Sequence, residues 1–402
     1  MDELEAAVGA AAAQISAALQ ALKLPSLPML AAPVVLPASR REEIASACTR
    51  VRSALCRLAG PERWNPRVPM PDGLEPLISS ERLGLERLGS CRLDALCNPD
   101  GSGLKFLEIQ AGDPSGLGWV DAMAAALRAV PALAPWMKHW RPLLSGRTLQ
   151  VLRALGGQLP TVAVVNEDGS FVVTDAALMA SQLGLDADRV DPRSFAWDGA
   201  RLTSGGKQYD VILRDSHEEL TVAPGRAACE ALWRALEAGF PRVNPFRDVW
   251  FDDKECFALL WGARASLPAD ERAAVEAYVP PTLRVDAANA AQLAAEQEQW
   301  VLKPAVGYGG FDVVVGAAVD ARTWAEAVRR ATTRRTVAQH FVAVGRPRVA
   351  RLDAGGITWR AQHLTVSFWC HGGVFSGGYA RAGDQPVVNV HQGGGIGPLV
   401  FS

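Results

Sequence analysis

The sequence predicts a mixed α/β protein, with several sub-domains arranged around a shared cleft. Three observations carry that reading. At 402 residues the chain is too long for one small core. Helical stretches, a strand–helix–strand unit and a β-rich last hundred residues follow one another along it. Hydrophobic residues make up 49% and charged residues 21%, the balance of a packed globular protein.

The elements follow in order. Residues 2–22 and 40–60 read as helices, with Pro25, Pro28, Pro33 and Pro37 between them. Ser39 followed by two arginines and two glutamates reads as an N-cap with early acids. Residues 61–78 hold five prolines and read as a connector. From about residue 88 the period changes to two. Residues 90–97 alternate, 98–103 (NPDGSG) form a turn and 104–110 alternate again, which is a β-hairpin. Helices are expected after the Gly116/Gly118 loop and near 137–155. Residues 161–165 and 209–214 read as strands flanking a helix at 174–184, a small α/β unit with no G-x-G-x-x-G turn and so no dinucleotide signature. Helices at 226–238 and 253–265 precede strands at 300–303, 311–315, 358–368, 373–380 and 386–390.

Composition also excludes. A net charge of -2 offers no bulk attraction to nucleic acid or a membrane surface. The seven cysteines show neither a CxxC pair nor zinc-ligand spacing, so they read as free thiols in a reducing compartment. The N-terminal stretch is acidic and alanine-rich, a helix and not a signal or a membrane span, and a cytoplasmic location is the expectation. No Ser-His-Asp or Cys-His arrangement suggests a protein nucleophile.

Two constellations carry chemistry. Lys303 ends a strand, Gly307, Gly309 and Gly310 make a turn around Tyr308, and a strand follows at once. A P-loop or Rossmann turn would open a helix, so this loop reads as a flap whose N–H groups approach phosphate oxygens while Lys303 adds a point charge. A tight surface hairpin accounts for it equally well when it is taken alone. In the 90–110 hairpin, Arg92 and Asp94 share one face, as do Glu108 and Gln110. Carboxylates with a neutral oxygen suit Mg²⁺, and an arginine beside them suits a transferring phosphoryl group. An exposed cross-strand ion-pair network is the competing account.

Taken in order, Arg92-x-Asp94, Glu108-x-Gln110 with Gly116/Gly118, Asp253-Lys254, Lys303-Pro304 with its glycine loop, and Arg381 with residues 386–389 resemble the circularly permuted ATP-grasp proteins, in particular amide ligases of the glutathionylspermidine synthase type. The resemblance covers roughly residues 80–402, and it lies in acids that precede lysines. Gln110 stands where that family carries Asn, which sets the carbonyl one methylene further out.

The resemblance implies an ATP-grasp fold in permuted order: a helical segment over 1–80, a magnesium-binding half over 81–160, an α/β pre-grasp-like unit over 161–245, and an ATP lobe with flap and C-terminal sheet over 246–402. It implies antiparallel sheets around the ATP cleft. It implies that Asp94, Glu108 and Gln110 hold Mg²⁺ and that Arg92 and Arg381 face the reacting phosphate. Lys254 and Lys303 would grip the ATP phosphates beneath the flap at Gly307, Tyr308, Gly309 and Gly310. The strand at 338–342, with Gln339, His340 and Val342, would read the adenine edge. The expected activity is ligation of a small-molecule carboxylate to an amine through an acyl phosphate, with ATP and Mg²⁺, giving ADP and phosphate. A phosphotransferase or a non-catalytic nucleotide-binding protein on the same fold stays open beside it, as do the substrates and the oligomeric state.

Overall fold

The computed structural model describes residues 2–24, 27–60, 67–69, 73–80, 89–112, 114, 116–144, 152, 159–165, 179–181, 183–214, 223–307 and 309–402. These residues form four sheets. The largest has nine strands. It runs in the order Gly356–Ala361, Arg348–Asp353, Met29–Leu30, Gly395–Phe401, Val374–Gly383, His363–His371, Ser90–Leu96 and Lys105–Gln110, with Val34–Leu36 also on Gly395–Phe401. Both short N-terminal strands pair with Gly395–Phe401 in parallel, and the other neighbours in this sheet are antiparallel. So the N-terminal segment, expected to be helical, also supplies strands.

Alternation decides what each face of this sheet does. Leu93, Ala95, Val366, Phe368 and Ala380 point one way, into a core closed by the helices Arg41–Ala59, Glu255–Ala263 and Ala269–Tyr278. Trp369, Tyr379, Ile396 and Val400 point the other way and pack with the helix Leu117–Arg128. Arg92, Asp94, Ser367 and Arg381 share that second face, where the helix does not cover it and a cleft begins.

Facing them is an antiparallel sheet of Thr282–Arg284, Thr336–His340, Trp300–Pro304 and Val314–Val315. The helix Ala321–Ala331 backs it. Asp320 caps that helix, accepting from Thr323 N–H at 2.8 Å, and Trp324, Ala327, Val328 and Ala331 recur at helical spacing to form a core with Leu302 and Ala338. A parallel sheet of Arg242–Val243, Val211–Arg214, Thr161–Val165 and Asp186–Val190 forms the small α/β unit, and three short strands lie beside it. No single helix among the described residues is long and apolar enough to cross a membrane.

Several sequence expectations need correction. Ser39 lies inside a 3-10 turn, Ala38–Arg40, so it does not cap the helix Arg41–Ala59. Part of the proline-rich connector is helical, at Glu75–Ser80. Of the helix expected near 137–155, residues 138–144 are not helical, because Arg128 Nη2 takes the carbonyls of Met137 and Trp140 at 3.2 and 2.7 Å. Most of its remainder lies outside the described residues, as do 174–178 and 182 of the helix expected at 174–184. The strand expected at 209–214 breaks at Asp210, which bonds Thr161 through both backbone and side chain at 2.9 Å. The strand expected at 358–368 breaks at Gln362, whose N–H turns to Pro347 O at 3.0 Å. Asp312 adopts φ 57, so only Val314–Val315 of 311–315 joins the sheet. Residues 386–390 form a loop instead of a strand, since Pro386 offers no N–H. A strand absent from the sequence expectations, Gly395–Phe401, is buried along its whole length.

Candidate active site

A cleft of about 950 Å³ lies between the nine-stranded sheet and the antiparallel lobe. Arg92, Asp94, Glu108, Gln110 and Arg381 line it from one side, and Lys254, Lys303, Gly307, Gly309, Gly310, Gln339, His340 and Val342 from the other. Tyr308 lies outside the described residues. Trp119 also lines the cleft.

Register builds the first wall. Arg92 lies opposite Gln110 and Asp94 opposite Glu108, with a bulge just after Asp94; on the other side Asp94 faces Ser367. Asp94 Oδ1 accepts from Arg92 Nε and Ser367 Oγ, each at 2.8 Å. Its Oδ2 accepts from Arg92 Nη2 at 3.0 Å and Arg381 Nη2 at 2.7 Å. All four acceptor positions of the carboxylate are therefore taken. Burial alone would push this carboxyl up; Arg381, Arg92 and Ser367 overcome it and hold the carboxyl well below the usual range. Arg92 Nη2 also donates to Gln110 Oε1 at 2.6 Å, and the guanidinium stands 5.8 Å from the Tyr379 ring centre. Arg381 is buried, and its Nε has no acceptor among the described residues.

The second wall is cationic. Lys303 is the penultimate residue of the strand Trp300–Pro304 and donates to Gln339 Oε1 at 2.6 Å. The Gln339 amide nitrogen donates to Thr282 Oγ1 at 3.1 Å and to Leu107 O of the large sheet at 3.3 Å. Burial pushes the Lys303 ammonium down to about 8; Glu108 and Asp94 oppose that shift and Lys254 adds to it. Lys254 Nζ lies 3.1 Å from Glu108 Oε2 and donates to Gly307 O at 3.0 Å. Four cations thus meet two hairpin carboxylates here.

The flap crosses the cleft. Gly309 and Gly310 have φ near 70, and a Cβ on Gly310 would stand 2.6 Å from Val387. Gln392 donates to Gly309 O at 2.8 Å, which ties the flap to the 386–392 loop. Beyond the strand Thr336–His340, residues 341–347 carry the chain back to the large sheet, and Val342 and Phe341 line the cleft there. The His340 and Trp300 rings meet edge to face at 4.4 Å.

A metal ion needs oxygen donors with free lone pairs. Among the described residues no group of three His, Cys, Asp or Glu is placed to hold one. Glu108 meets Lys254 through one oxygen and leaves the other without a partner among the described residues, so it fits Mg²⁺ of the kind that keeps phosphate and water ligands. Asp94, as placed, offers no free position. Ser367 and Gln392 went unnoticed in the sequence. Ser367 alternates with Thr365 on a strand, but the register that brings it to Asp94 leaves no local trace.

No family model and no curated protein matches the chain. Solved structures do. A glutathione synthetase-like effector from Globodera pallida aligns with a TM-score of 0.61 at 10% identity, over 97% of this chain and 97% of that one. A putative γ-glutamylcysteine synthetase from Methylobacillus flagellatus aligns at TM-score 0.47 and 10% identity, over 94% and 90%. An ATP-grasp RimK-domain protein from Sphaerobacter thermophilus aligns at 0.31 and 19%, over 60% and 91%; scores below 0.5 add no weight. The alignment to the effector spans nearly the whole of both chains and agrees with the mixed α/β architecture, so the chain has the fold of that glutathione synthetase-like protein.

Proposed function

We propose that this chain is an ATP- and Mg²⁺-dependent ligase that joins a carboxylate to an amine through an acyl phosphate and releases ADP and phosphate. The observation that carries the proposal is Arg381: a buried guanidinium that lines the cleft with its Nε–H unsatisfied among the described residues, a preformed partner for an anionic oxygen. Arg92, Lys254 and Lys303 converge on the same space. The likeness to a protein described as glutathione synthetase-like fits the same chemistry.

In this reading Lys254 and Lys303 hold the phosphates of ATP beneath the flap, and the backbone at 341–344 meets the adenine edge. Glu108 and Gln110 hold Mg²⁺, which supplies charge neutralisation at the phosphates, and Asp94 joins them where a guanidinium leaves it for phosphate. Arg92 and Arg381 orient the substrate carboxylate and the transferring phosphoryl group. The flap excludes water from the acyl phosphate. The amine then attacks the acyl carbon, and phosphate leaves. Acids that stand before lysines along the chain are read as the permuted order of the fold.

The test is an ADP-release screen over pairs of small carboxylates, amino acids or peptides and amines, with Lys303→Ala as control. Stoichiometric ADP and phosphate that require both substrates support the proposal. AMP with pyrophosphate would sink it.

A further inference from the structure

Lys254 sits between two buried carboxylates, Asp253 (3% exposed) and Glu255 (2% exposed). One guanidinium spans both: Arg335 Nη2 donates to Asp253 Oδ2 and to Glu255 Oε2, the latter at 3.0 Å. Arg284 adds a second donor to Glu255. The other oxygen of Asp253 accepts from Glu255 N–H at 2.9 Å, so the carboxylates are locked to each other around residue 254.

The backbone repeats the clamp. Ala305 N–H donates to Arg335 O at 3.0 Å, and Lys254 N–H donates to Ala305 O at 2.8 Å. Ala305 directly follows the strand Trp300–Pro304, which carries Lys303, and leads into the flap. Arg335 therefore ties three segments together: the turn that carries Lys254, the end of the Lys303 strand and the start of the Thr336–His340 strand. A lysine reaches its target on a flexible four-carbon stem, so the place where its backbone is pinned decides where the ammonium can dwell. Here that place puts Nζ 3.1 Å from Glu108 and 3.0 Å from Gly307 O.

We propose that Arg335 is a positioning residue for the phosphate end of the cleft, acting through Lys254 without touching the nucleotide. The proposal rests on the reading of the cleft as an ATP site. Without the Arg335 side chain, Asp253 and Glu255 become two buried like charges with Arg284 on Glu255 only among the described residues, and the turn between them keeps its backbone bond to Ala305 but loses the side-chain clamp that holds both flanks of Lys254.

The experiment is calorimetric titration of Mg²⁺-ATP into the full chain and into Lys254→Ala, Arg335→Ala, Arg335→Lys and the double variant Lys254→Ala/Arg335→Ala, each checked for native circular dichroism and cooperative melting. Arg335→Ala should weaken ATP binding about tenfold, about 1.4 kcal/mol, and Arg335→Lys should recover part of that loss. The double variant should bind no more weakly than Lys254→Ala, because the effect of Arg335 passes through Lys254. Wild-type affinity in a folded Arg335→Ala chain, or losses that multiply in the double variant, would overturn the proposal. If Arg335→Ala does not fold, Arg335→Lys decides with and without Lys254 by the same criteria. Absence of ATP binding by the wild-type chain overturns the ATP reading and this inference with it, an outcome distinct from wild-type binding with an indifferent Arg335.

Discussion

Lys303 Nζ donates to Gln339 Oε1 at 2.6 Å, so the buried ammonium is oriented by a neutral oxygen that leaves its charge uncancelled. Burial brings its pKa down to about 8, below the ordinary lysine value, so the free protein loses this charge as pH rises through about 8. Mg²⁺-ATP affinity, measured by calorimetry from pH 6.5 to 9.5, should be flat below that pH and fall above it. In Lys303→Arg, whose guanidinium stays charged, the fall should disappear.

Asp94 neutralises two buried arginines, and its own carboxyl is held below the usual range. A depressed carboxyl stabilises the fold above its unfolded pKa, and that stability is lost as pH falls through the folded value. Asp94→Asn should therefore cost about 3–5 kcal/mol in urea denaturation at pH 7, the range for breaking a buried pair. The gap to wild type should close toward low pH. Equal stability at pH 7 would show that the arginines have another counter-charge.

How much of this was legible in the sequence depends on whether the signal was local. The 90–110 hairpin was readable because its turn chemistry and period-two alternation lie within one short stretch, and the structure pairs Ser90–Leu96 with Lys105–Gln110. The strand expected at 338–342 came only with the family resemblance, and the structure sets it two residues earlier, at Thr336–His340. By contrast, Gly395–Phe401 carries glycines and a proline that argue against a strand, yet it is central to the largest sheet because its neighbours bury both faces. Residues 386–390 are valine-rich like a strand, but Val387 and Asn389 lie against Gly310 of the flap instead. The helix Ala321–Ala331 did carry a signal, with Asp320 as cap and an apolar stripe, and went unread inside a stretch taken as β-rich. The candidate residues of the hairpin and of the glycine loop were legible as neighbours in sequence, whereas Lys254 and Arg381 came only with the family resemblance. Ser367, Gln392 and Arg335 act across register or between lobes, which no single sequence displays.

Glu108 has one oxygen on Lys254 and one turned to no partner among the described residues. Glu108→Gln should raise the Mg²⁺ concentration needed for ATP binding by at least about tenfold. Melting temperature should barely move, because this side chain is partly exposed. A magnesium titration at fixed ATP reads the effect, and an unchanged Mg²⁺ requirement would remove Glu108 from the metal site.

Gly310 combines φ +72 with Val387 in the way of any Cβ. Gly310→Ala should disturb the flap and weaken ATP binding by about 1 kcal/mol, roughly fivefold. Chemical denaturation should leave the core transition in place. A fall in global stability with intact ATP binding would show that the loop serves packing only.

The central claim is that the cleft between Asp94 and Lys303 binds Mg²⁺-ATP, and denaturation with and without nucleotide tests it most directly. With ligand at about 100 times its Kd, the wild-type chain should gain roughly 2.7 kcal/mol, and Lys303→Ala under the same conditions should gain far less. No gain in the wild-type chain, or an equal gain in both, would contradict the account.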